Sequence, residues 1–234
     1  MGLTIYYRLS VAKNISSNAV RELVQRVAEH AYKIGCAEAS KPLRPFHEPV
    51  YSRLPVHAGR PEDGCFGFVP ASEGWVVEIW PGEGCESAHF GLCQYPRTAP
   101  YELRGQFGWV KTEYLRGWLF KSCCKTQYAA EHGWDHFLRC HKTIISILKF
   151  WRQLGVTVKV SDEGKYWTTR SETKLRDALN RYNGLMAVVA GACKDAADET
   201  GKGYTVEAPI VARQDFEKLE AEGWRNSSDW FRPG

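Results

Sequence analysis

The sequence has no apolar run near the roughly 20 residues that a membrane-spanning helix needs. Its opening, Met1-Gly2-Leu3-Thr4-Ile5-Tyr6, lacks the basic-then-apolar order of an export signal, and Tyr6 stands where a myristoylation signal carries Ser or Thr. A cytoplasmic protein with no membrane partner is the expectation. Three chemical signatures are also missing. No Gly-x-Gly-x-x-Gly follows a strand pattern, so the dinucleotide fingerprint is absent. No Gly-x4-Gly-Lys-Ser/Thr is present to cradle a triphosphate. No Gly-x-Ser-x-Gly elbow is present to expose a nucleophilic serine. Strong charge of either sign is lacking too. The formal net charge of +4 and pI near 8.6 permit a nucleic acid or an acidic partner without demanding one.

What is present is an ordinary globular composition, with 44% hydrophobic and 25% charged residues over 234 positions. That length suits a single domain over 1–234, or two packed halves at 1–113 and 114–234. Nine Trp residues predict extensive aromatic burial. The cysteines are Cys36, Cys65, Cys85, Cys93, Cys123, Cys124, Cys140 and Cys193. With no export signal, ample length, and cysteines inside apolar helix patterns, they are expected as buried thiols and not as a disulfide framework.

Periodicity predicts the elements. Leu3, Ile5, Tyr7 and Leu9 alternate with Thr4, Tyr6 and Arg8 as a half-buried strand, and Ser16, Ser17 or Asn18 caps a helix running to Gly35. Six prolines between 41 and 73 predict a long loop with short strand pieces. Trp75–Trp80 is a strand closed by Pro81-Gly82, and 81–113 reads as a second irregular stretch. Trp118–Thr126 is a strand. A helix over about 133–153 buries Phe137, Cys140, Ile144, Ile147, Leu148 and Trp151. Val156, Val158 and Val160 form a strand, Asp162-Glu163-Gly164 a turn, and Tyr166–Thr169 a returning hairpin strand. A long helix follows Ser171, with Leu175, Leu179, Tyr182, Met186, Val189, Cys193 and Ala196 along one side. A short strand at 204–208 and a short helix from Gln214 to Glu222, stopped by Gly223, complete the pattern. The fold class is therefore α+β: one antiparallel sheet from two βαββ-like units with helices on one face, plus a long C-terminal helix and long irregular loops.

Two runs carry a likeness. Gly84-Cys85-Glu86-Ser87-Ala88 with Phe90-Gly91-Leu92 and Tyr95-Pro96 is the first. Cys124-Lys125-Thr126-Gln127-Tyr128-Ala129, leading into Phe137-Leu138-Arg139-Cys140-His141 and Asp162-Glu163-Gly164, is the second. Together, over 75–198, they resemble a family of bacterial proteins of uncharacterised activity. The likeness implies a bacterial protein and carries no chemistry with it.

Candidate sites are of two kinds. Cys85-x3-His89-x3-Cys93 and the helix start His132, His136 and Cys140 offer zinc-ligand chemistry. Helical positions eight apart are about 12 Å apart, however, while zinc bonds are about 2.0–2.3 Å, so one ion could use only an adjacent pair and would need ligands from both places. The second kind is electrostatic. On the face of the sheet away from the core fall Tyr6, Arg8, Glu78, Trp80, Lys121, Lys125 and Lys159, and the solvent side of the 133–153 helix carries Arg139, Lys142, Lys149 and Arg152, offset by Asp135. Cations neutralise phosphates and aromatic rings stack on bases. Asp162-Glu163 makes a poor acid/base pair, because adjacent strand residues point apart. The sequence points to a non-enzymatic binding protein that uses this basic-aromatic surface to hold a protein or nucleic acid. The alternative is a zinc-dependent hydrolase with ligands from the 85–93 loop and the 132–141 helix start.

Overall fold

A computed structural model describes residues 3–11, 15–43, 54–57, 66–69, 71–103, 106–111, 117–200, 208 and 210–226. The expected strand at 204–208, Cys65 and the aromatic tail at Trp230-Phe231 lie outside the described residues, apart from residue 208 itself. The chain divides into two compact units, Thr4–Asp162 and Met1–Leu3 with Glu163–Gly234. None of the described helices is long and apolar enough to cross a membrane.

The first unit is built on a six-stranded antiparallel sheet in the order β10-β1-β9-β6-β5-β2. Its strands are β1 (Thr4–Val11), β2 (Glu38–Ala39), β5 (Glu73–Trp80), β6 (Ala88–Gln94), β9 (Trp118–Lys125) and β10 (Thr157–Asp162). Two small hairpin sheets, β3 (Leu54–His57) with β4 (Phe66–Val69) and β7 (Thr98–Leu103) with β8 (Gln106–Lys111), stand beside it in the sequence. Helix α1 (Ser17–Lys33) follows β1, and α2 (Trp134–Gln153) joins β9 to β10. Since β9 and β10 each pair antiparallel with β1, they run parallel to one another with β1 between them. That is a split βαβ crossover.

Both helices cover one face. Ile5 and Leu9 are fully buried and Tyr7 nearly so, and the register brings Phe120, Cys124, Val158 and Val160 to the same side. Trp75 Nε1 donates to Ser17 Oγ of α1, and every apolar position expected on the inner side of α2 is 0% exposed. The Ser16 side chain accepts from Ala19 N to start α1, and Gly35 and Gly155 take positive φ of 78° and 84° just beyond the two helices. The α+β class with helices on one sheet face is as expected.

Two local expectations change in this part of the chain. The stretch 81–113 is mostly strand, not irregular: β6 alone spans seven residues. Its Phe90 and Leu92 bury on one side and its Gly91 and Cys93 on the other, so the polar alternation that marks a half-buried strand is missing. Gly91 is needed there, because a Cβ would sit 2.4 Å from the Trp75 carbonyl oxygen. Tyr166–Thr169 is one helical turn, α3, rather than a hairpin strand, bracketed by Lys165 and Arg170 in left-handed conformation (φ 57° and 55°). The second βαββ unit thus lacks its last strand.

The second unit packs α4 (Glu172–Thr200) on α5 (Phe216–Asn226). Leu175 and Leu179 are buried as expected, but beyond them burial passes to Asn183, Gly184, Ala187, Val188 and Gly191, while Val189, Cys193 and Ala196 are exposed. Small residues set this seam because α5 approaches closely. Gly223, expected as a helix stop, lies inside α5 and touches Gly184. Alanine is the better helix former by about 1 kcal/mol, yet a Cβ at Gly223 would lie 2.4 Å from Gly184 O and 2.6 Å from Val188 Cγ2. Gly223→Ala is therefore expected to lower the thermal midpoint. Gly184→Ala, whose Cβ meets Gly223 Cα at 3.3 Å, should do so much less, and equal effects in a melting experiment would discredit the contact.

Candidate functional site

On the sheet face away from the helices, the register sets Arg8 opposite Lys121 on one neighbour and opposite Lys159 on the other. Three cations thus form one row across β10, β1 and β9, about 10 Å from end to end at the usual strand spacing. Two residues along β1, Tyr6 is 47% exposed between Cys123 and Ser161. Lys159 is exposed, and Arg8 and Lys121 are half-buried.

The remaining expected surface residues lie elsewhere. Lys125 pairs opposite Thr4 on this face, but its ammonium sits 3.3 Å from Glu86, which holds its pKa above the ordinary value. Trp80 is half-buried on β5 with its indole N–H donated to Cys85 O. On β5 and β6 this side of the sheet is partly closed, with Val76 and Cys93 buried, and Leu119 of β9, opposite Cys93, is buried too. Arg139, Lys142 and Lys149 belong to α2, on the opposite side of the sheet, and do not join the row.

The zinc candidates separate. His89 and Cys93 are four apart on one strand, hence about 13 Å apart along it. That is far beyond what bonds of 2.0–2.3 Å can bridge. His89 Nε2 lies 3.7 Å from Glu78 Oε1, and Cys93 is fully buried with its thiol pushed up to about 12 by that burial, against a lowering hydrogen bond with Tyr95. Among the described residues no group of three or more His, Cys, Asp or Glu is placed to hold a metal ion.

A different constellation forms where the β5–β6 connection meets the start of α2. Arg139 Nη2 donates to His136 Nδ1 at 2.8 Å, which leaves the ring proton on Nε2, 2.9 Å from the Glu83 carbonyl. Cys140 Sγ lies 3.5 Å from that same Nε2. His132 stacks at a tilt on His136, 5.2 Å between centroids, with Nδ1 3.5 Å from the Glu83 carboxylate. Cys85 shares a hydrogen bond with Cys140, and this bond draws the Cys140 thiol down to about 7, helped by His136 and Arg139 and opposed by burial. Cys85 moves strongly the other way, since it keeps the shared proton and is itself largely buried. Helical spacing alone put His136 beside Cys140. Nothing local in the sequence brings Cys85 to them.

Beneath this, Thr126 Oγ1 lies 2.9 Å from His141 Nδ1, and His141 Nε2 lies 3.5 Å from Asp162 Oδ1. Hydroxyl, imidazole and carboxylate in that order form the chain of a hydrolytic triad. Thr126 and His141 are both 0% exposed, however, so the hydroxyl faces no substrate and the chain serves packing. Asp162, expected in a turn, is the last residue of β10, with its side chain 1% exposed.

The chain matches no protein family, no curated protein and no solved structure. The likeness to a bacterial family over 75–198 gains no support from these comparisons, and function rests on the geometry alone.

Proposed function

We propose that the protein binds single-stranded nucleic acid on the open face of β10, β1 and β9. The observation that carries this reading is the alignment of Lys159, Arg8 and Lys121 in one cross-strand row, with Tyr6 exposed beside it. The row supplies charge for successive phosphates, and a tyrosine ring on a rigid strand offers a stacking platform worth about 1–3 kcal/mol per base. The binding groups sit on adjacent strands of a packed sheet, so their spacing is fixed before the ligand arrives. A protein partner would have to meet the same three charges with carboxylates.

Three phosphate contacts give a slope of about −2 in log K against log salt for a single strand. A fluorescent single-stranded oligonucleotide titrated at several salt concentrations should show that slope. Arg8→Ala, Lys121→Ala and Lys159→Ala should each flatten it by roughly 0.7, and Tyr6→Ala should weaken binding without changing the slope. An unchanged slope in the triple variant, or no measurable binding at low salt, would sink the reading.

A further inference from the structure

The second unit carries an uncovered surface of its own. From Tyr182 to Cys193, helix α4 has no charged residue on any side, a run of about 18 Å or three turns. A helix that is uncharged all round is normally covered all round. Here one side is covered: Gly184, Val188 and Gly191 meet α5. On the opposite side, Leu185 and Met186 are half-buried, Val189 is 43% exposed, and Cys193 and Ala196 are exposed. At the helical turn of about 100° per residue these fall, with half-buried Tyr182, in one stripe from Tyr182 to Ala196. Val189 is its midpoint. Apolar residues scattered singly on a surface need no explanation, but a continuous stripe marks a contact.

We propose that this stripe pairs antiparallel with the same stripe of a second copy of the chain, about a two-fold axis at Val189. Size and charge both select that occupant and that direction. The stripe is large before Val189, with Tyr182, Leu185 and Met186, and small after it, with Cys193 and Ala196. The two-fold sets Leu185 of one copy against Cys193 of the other, and Tyr182 against Ala196, so large meets small throughout. A parallel pair would crowd large on large and leave gaps between the small residues. The charges that bound the stripe are also graded. Before Tyr182, α4 carries Lys174, Arg176 and Arg181 against Glu172 and Asp177, and after Cys193 it carries Asp195, Asp198 and Glu199 against Lys194. Antiparallel pairing brings the cationic end of each helix to the acidic end of the other. Arg181 and Glu199, both exposed, lie about five full turns apart and so share one flank of the stripe. In a two-fold antiparallel pair like flanks meet, which places Arg181 of each copy beside Glu199 of the other.

The test is sedimentation equilibrium of the intact chain over about 1–200 µM, a range suited to a small helix-pair interface. The mass should rise with concentration from 26.6 kDa toward twice that value. Val189→Glu should hold the single-chain mass and keep the circular dichroism of the wild type, since position 189 is open to water in one copy. Arg181→Glu should weaken association about fivefold, and adding Glu199→Arg should restore it. Mild oxidation with peptide mapping reads the direction. In a Cys193→Ala background, Val189→Cys should link the two copies through position 189. Cys193 of the wild type should not link to its own copy, because the two positions lie about 12 Å apart along the paired helices, beyond the span of a disulfide. A single-chain mass at every concentration overturns the proposal. So does a dimer that Val189→Glu leaves intact, or a Cys193–Cys193 link that forms as readily as the link through position 189. The charge reversal and the wild-type oxidation decide the matter even where Val189→Glu folds poorly.

Discussion

His141→Leu is expected to destabilise the first unit by about 3 kcal/mol, the usual loss when one partner of a buried polar pair is removed. For a chain of this size that is roughly 6–12 °C in the thermal midpoint. Leucine matches the volume and apolar surroundings of the imidazole, so packing loss is small. The loss comes from the interactions the ring makes in a place closed to water, with the Thr126 hydroxyl 2.9 Å away and the Asp162 carboxylate 3.5 Å away. Thr126→Val removes only a neutral hydrogen bond and should cost about 1 kcal/mol. In the double variant the costs should fall short of additive, because the valine has already removed one of the groups that leucine strands. A denaturant midpoint for His141→Leu within error of wild type would show that the chain carries no stability.

Gly84→Ala is expected to be comparably damaging, for a backbone reason. Gly84 has φ +72°, a conformation that costs an L residue about 1–2 kcal/mol. The added Cβ would lie 2.5 Å from the Tyr128 carbonyl carbon and oxygen and 2.6 Å from Ala129 N. These are backbone atoms of the 3₁₀ turn Gln127–His132, so no side-chain rotation relieves the clash. The connection carrying Cys85 must move off that turn. The variant should therefore lose about 3 kcal/mol or more in stability. Wild-type stability of the variant would mean that the connection does not depend on this approach.

How much of this was legible follows from which contacts are local. α1, α2, β1, β5, β9 and β10 were visible because each buries one face, and burial of one face writes a period of 3.6 or 2 into the chain. β6 was hidden because it is buried on both. Tyr166–Thr169 misled through composition: its aromatic and β-branched residues favour a strand, but two left-handed residues close it into a helical turn. In α4 the large residues suggested a stripe that α5 overrides, since a close helix approach selects Gly184 and Gly191 over Met186 and Val189. The cationic row was foreseen in part. Strand alternation gave the face, but only the register shows that Arg8, Lys121 and Lys159 align while Lys125 is committed to Glu86. The thiol pair was half visible, as helical spacing supplies His136 and Cys140 and only the tertiary fold supplies Cys85.

Strand β1 sits inside the sheet although it is made before both strands that flank it, with Tyr7 opposite Val160 on one side and Ser122 on the other. On the ribosome, a segment as apolar as Leu3-Thr4-Ile5-Tyr6-Tyr7 must wait for about 150 further residues, roughly 10–30 s of translation, before its second edge can be satisfied. The nascent chain thus carries this strand with one edge unpaired until β10 emerges. Pairing across so large a sequence separation is slow to form, and that slowness is built into the order in which the strands appear.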